Sequence, residues 1–96
     1  MLTTHDILAK LKSAKPSLEQ KYGVTAMALF GSYSRSDATE ESDVDVAVDF
    51  DKPIGMGFIH LADELELLLH RKVDLVSLRG IKPKYLKAIE PDLIYV

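Results

Sequence analysis

The stretch FGSYSRSDATEESDVDVAVDF, Phe30 to Phe50, holds a glycine–serine pair at its start and two aspartates one residue apart near its end. Aspartate is depleted from β-strands. Yet Val44, Val46, Val48 and Phe50 alternate strictly with Asp43, Asp45, Ala47 and Asp49. A period of two reads as a half-buried strand, with the valines on the covered face. Asp43 and Asp45 then stand on the other face, with Cα atoms about 6.6 Å apart at a rise of about 3.3 Å per residue. Two unpaired anions this close disfavour each other's ionisation. A cation between them removes the conflict.

Carboxylate oxygens are hard ligands that suit Mg²⁺ or Mn²⁺. Mg²⁺ usually takes one or two protein carboxylates and completes its shell with water and substrate phosphates. A D-x-D pair is therefore what a metal–nucleotide site needs, although acids that only solubilise an exposed strand face would look the same. An EF-hand is excluded, because Val48 occupies the loop position that requires glycine. Asp49 and Asp51 read as a solvated strand end.

Upstream, Val24–Phe30 is a compact apolar run ending at Gly31, most simply a buried strand. A tight strand-to-helix turn at Gly31–Ser32 points backbone N–H groups at one spot, and the absent side chain lets a phosphate approach. No GK[ST] follows, so this is not a Walker A loop. A phosphate-binding turn at one strand end and a metal pair on the next strand are the equipment for phosphoryl or nucleotidyl transfer. Asp74, alone between apolar neighbours in KVDLV, is the candidate third acid.

Outward from this centre, Ile7, Leu8, Leu11, Ala14, Leu18 and Tyr22 keep helical spacing. Thr3 or Thr4 serves as N-cap, Gly23 as the stop, and Pro16 is expected to restart or kink the helix. Residues 51–57 read as a loop. Phe58, Leu61, Ala62, Leu65, Leu68 and Leu69 form one stripe of a second helix, with Leu67 off the stripe. A strand at 72–77, a turn at Gly80, a helix at 83–89 and a strand at 92–96 complete the chain. Alternating helices and strands predict an α+β, two-layer α/β domain with helices packed on one sheet.

The 96 residues allow one small domain, residues 1–96. With 47% hydrophobic and 28% charged residues the composition is globular rather than disordered. A formal charge of −3 and a pI near 5.5 argue against direct grip on nucleic acid. The absence of cysteine excludes disulfides, thiolate zinc sites and a cysteine nucleophile. No apolar run spans a membrane and no signal peptide is visible, so a cytoplasmic protein is expected. His5, His60 and His70 lack metal-ligand spacing.

GSYSR at 31–35, SDVDV at 42–46 and VDLV at 73–76 resemble the nucleotidyltransferase superfamily that includes DNA polymerase β. More closely, the chain resembles the minimal nucleotidyltransferase (MNT) proteins over nearly its whole length. One departure is Ser36, where many relatives carry glycine. The resemblance implies a small mixed sheet flanked by helices, with Gly31 and Ser32 on the nucleotide phosphates. It implies that Asp43 and Asp45 bind two Mg²⁺ ions and that Asp74, near them, helps activate the attacking hydroxyl. Arg35 is placed either to approach the phosphates or to serve the surface. The reaction implied is attack on the α-phosphate of ATP with release of pyrophosphate. Members of this family are commonly antitoxins of HEPN-domain toxins, and some transfer AMP to a toxin tyrosine. The alternatives are a module that neutralises its toxin by binding alone and, from D-x-D by itself, a nucleotide-sugar glycosyltransferase. The latter normally needs a much larger fold.

Overall fold

The computed structural model describes residues 2–96. Helix α1 spans Thr4–Tyr22 and opens on a capping box at Thr3. The Thr3 hydroxyl accepts from the Asp6 N–H, and the Asp6 carboxylate accepts from the Thr3 N–H, both at 3.1 Å. Two otherwise orphaned donors are thereby satisfied. Gly23 ends the helix in the left-handed region at φ +71°.

The helix runs unbroken through Pro16 rather than restarting there. Proline removes one intrahelical hydrogen bond, but Leu11 and Leu18 are buried on either side of it. Burial of one continuous apolar stripe, not local propensity, supplies most of a helix's stability in a folded protein.

Strand β1 covers Val24–Phe30, and a single helical turn, α2, follows at Gly31–Ser34. Strand β2 is Val44–Phe50, α3 is Gly57–Leu69 and β3 is Val73–Ser77. Helix α4 occupies Pro83–Ile89, a 3₁₀ turn Glu90–Asp92, and β4 only Ile94–Tyr95. Asp43 thus precedes its strand instead of opening it. Asp92, expected to open the final strand, lies instead in the 3₁₀ turn.

The sheet order is β3-β2-β1-β4. β1 is antiparallel to β2 and β4, while β2 and β3 run parallel. A parallel neighbour needs a crossover, and α3 provides it. Helices α1 and α3 pack on each other and, respectively, on β1 and β3. Ile7, Leu11, Met27, Leu29, Val44, Val46, Val48, Leu61 and Leu65 form the dry layer between them and the sheet, together with Phe50 and Leu69. Leu67 is exposed, as its position off the stripe predicts. Ala47, expected on the solvated face with the acids, is fully buried. That face is therefore solvated only towards the ends of β2.

Candidate active site

Gly31 leaves β1 at φ +75°, a conformation that glycine adopts without penalty. The turn it starts is held from several directions. Tyr33 is buried in the core. The Thr4 hydroxyl at the start of α1 donates to the Tyr33 carbonyl, and the Ser34 hydroxyl donates to the Asp92 carbonyl. The Arg35 N–H returns to the Gly31 carbonyl at 3.1 Å, and the Asp37 N–H to the Ser32 carbonyl at 3.0 Å. Ser36, the departure from the family's glycine, sits at φ +62°. The left-handed backbone explains why glycine suits that position.

Phe30, Asp45 and Asp74 are register partners across β1, β2 and β3. Partners on neighbouring strands share a face, and strands lie about 4.8 Å apart. Asp45 and Asp74 therefore stand side by side on the face away from α1 and α3. A Cβ built on Gly31 would lie 2.1 Å from Asp45 Oδ2. The phosphate-type turn and the aspartate of β2 are thus in direct contact.

The electrostatics match this crowding. Burial first, then the charges of Asp74 and Asp43, push the Asp45 carboxyl up to about 6, and Arg35 pulls it partly back. Asp43, just before β2, is exposed, as is Asp74. Both lie near enough for their charge to act on Asp45. Among the described residues, however, no three acidic or histidine side chains converge tightly enough to hold a metal as they stand. A hard divalent cation fits the oxygen-only donor set, because it would relieve the repulsion that Asp45 feels. Asp43, Asp45 and Asp74 are the residues that could hold it.

Arg35 does not hang free. Its Nε donates to Asp37 Oδ2 at 3.1 Å and its Nη1 to Asp92 Oδ2 at 2.8 Å. Asp92 is the residue of this neighbourhood that the sequence did not disclose. It lies 57 positions from Arg35, and no local pattern links the two. Asp49, at the other end of β2, pairs with Arg79 at 2.9 Å and takes no part.

Residues 11–96 match the family described as nucleotidyltransferase domain. The chain belongs to the nucleotidyltransferase family. A relative from Methanocaldococcus jannaschii assigned as a protein adenylyltransferase is 44% identical, with each chain covered completely. The protein adenylyltransferase MntA of Thermococcus cleftensis is 40% identical over all of this chain and 98% of its own. A solved structure assigned to the minimal nucleotidyltransferases superposes with a TM-score of 0.81 at 30% identity, covering 97% of this chain and 95% of the other. A chain from the solved complex of tri-AMPylated Shewanella oneidensis HEPN toxin with MNT antitoxin gives 0.66 at 26% identity, covering 92% and 68%. The expected fold and family are thereby confirmed: this is a minimal nucleotidyltransferase with a four-stranded mixed sheet.

Proposed function

We propose that this nucleotidyltransferase is a cytoplasmic, antitoxin-type protein adenylyltransferase that moves AMP from ATP to a tyrosine hydroxyl of a HEPN-domain toxin. The reading rests on one observation above all. Asp45 is pressed against Gly31 on one side and paired with Asp74 on the other, so the phosphate turn and the acids share one end of the sheet. The names of the relatives support the transferred group and the partner class.

In this reading residues 1–96 act as one domain. Gly31 and Ser32 bind the nucleotide phosphates with backbone N–H groups that have no partner within a helix's first turn. Arg35 adds positive charge beside them. Asp43, Asp45 and Asp74 would hold two Mg²⁺ ions. Bound Mg²⁺ would neutralise charge developing on the phosphates. Asp74 also accepts the proton of the acceptor hydroxyl. That oxygen attacks the α-phosphorus, the bond to the bridging oxygen breaks, and pyrophosphate leaves with the electron pair. The acidity of the chain disfavours a nucleic-acid acceptor.

The test incubates the purified protein with α-labelled ATP, Mg²⁺ and the toxin. Label on a toxin tyrosine, lost with Asp43→Asn or Asp45→Asn, is the expected result. A tight complex that forms without any label overturns the catalytic reading and leaves neutralisation by binding.

A further inference from the structure

We propose that Asp92 is a positioning residue for nucleotide binding, holding Arg35 at the edge of the phosphate turn. The inference rests on the reading of Arg35 given above and deepens it. Asp92 grips two consecutive residues of the turn: its carbonyl accepts from the Ser34 hydroxyl, and its carboxylate takes Arg35 Nη1 at 2.8 Å. The grip is itself anchored. The Leu93 N–H donates to the Glu90 carbonyl at 3.2 Å, and β4 then pairs Ile94 with Leu29 on the strand that feeds the turn.

Asp92 carries the less exposed side chain of the pair, 22% against 48% for Arg35. The acid is thus the fixed member and the guanidinium the member being oriented. Asp37 engages Nε from within the same loop at 3.1 Å. The remaining N–H groups of the fork are left to point elsewhere. The Arg35 N–H closes the phosphate turn on the Gly31 carbonyl at 3.1 Å, so the held guanidinium springs from the turn itself. A long side chain otherwise loses rotamer freedom on meeting a ligand. Asp92 removes that loss in advance. An ion pair this exposed adds little to stability, so its effect falls on affinity.

The test measures binding of a non-hydrolysable ATP analogue with Mg²⁺ by calorimetry, and kcat with the toxin, for Asp92→Asn, Asp92→Glu, Arg35→Gln and the double variant Asp92→Asn/Arg35→Gln. Circular dichroism checks folding. Asp92→Asn is expected to weaken binding roughly fivefold to tenfold with kcat within about twofold of wild type, and Asp92→Glu to recover most of the affinity. The double variant binds no more weakly than Arg35→Gln alone, because residues acting through one another are not additive. Wild-type affinity in Asp92→Asn, additive losses, or a loss confined to kcat overturns the proposal. Should Asp92→Asn not fold, a further variant, Asp92→Ser, carries the comparison: roughly fivefold to tenfold weaker binding supports the proposal and unchanged binding refutes it. Wild-type affinity in Arg35→Gln sinks instead the parent reading, that Arg35 serves the phosphates.

Discussion

Gly31→Ala places a methyl group 2.1 Å from Asp45 Oδ2, 3.0 Å from its Cγ and 3.2 Å from its Cβ, on a residue at φ +75°. Two costs arise, and they differ in kind. The left-handed backbone costs an L-residue about 1–2 kcal/mol. The nearest colliding atom is the tip of a rotatable side chain, so the clash is relieved by turning Asp45 off its rotamer for about 0.5–1.5 kcal/mol. A total loss of about 2–3 kcal/mol corresponds to a fall in Tm of roughly 10 °C or more for a domain this size. The chemical loss is larger, because the carboxylate oxygen must retreat by about 1 Å, and a misplacement of that order can lower turnover about a hundredfold. Gly23→Ala is the matched control. It has φ +71° and a Cβ position 2.4 Å from Asp51 Oδ1, but at the opposite end of β1. Urea unfolding should show similar destabilisation in both variants. Transfer of labelled AMP per folded molecule should collapse only in Gly31→Ala. Equal transfer rates in the two would refute the placement of Asp45 in the chemistry.

Asp45→Asn should abolish transfer while raising stability by about 1–2 kcal/mol at pH 7.5. The folded carboxyl titrates at about 6 against 3.8 for its ordinary value, so the folded state binds more protons and wild-type stability falls as pH rises from about 4 to about 6. The gain should therefore vanish near pH 4, which denaturant titrations at the two pH values would check. Asp74→Asn should lower turnover more than Mg²⁺ affinity, read from transfer kinetics and metal titration; equal losses would make Asp74 a plain ligand. Ser36→Gly should stabilise the fold by about 1 kcal/mol, because it relieves a left-handed serine; thermal unfolding is the measure. Thr3→Ala should cost about 1 kcal/mol by breaking the capping box, without changing transfer per folded molecule.

The elements around the site were legible because their signals are local. β1 and β2 are bounded by Gly23, Gly31 and the alternation that ends at Phe50, and the structure keeps those bounds within one residue. Gly31 announced a special backbone, and Ser36 stood out against the family pattern for the reason its φ now supplies. What was not legible depends on strand order. That Asp45 meets Asp74 follows from the parallel pairing of β2 with β3, which no spacing along the chain encodes. The helix does not restart at Pro16, because burial of Leu11 and Leu18 outweighs a single lost hydrogen bond. Asp92 read as part of a final strand, and its side chain found its use only once the 3₁₀ turn met α2. Ala47 matched the acids in parity but not in environment.

The ladder between β2 and β3 ties two kinds of selection together. In β3, Val73 lies in the dry layer and Asp74 on the opposite face. Sliding this strand by a single position would drive the acid into hydrocarbon and expel the valine into water. Any drift that spoils the carboxylate pairing is thus opposed by the same oil-and-water sorting that builds the protein. A length change at the junction of α3 and β3 would cripple folding before an inactive but intact molecule could accumulate.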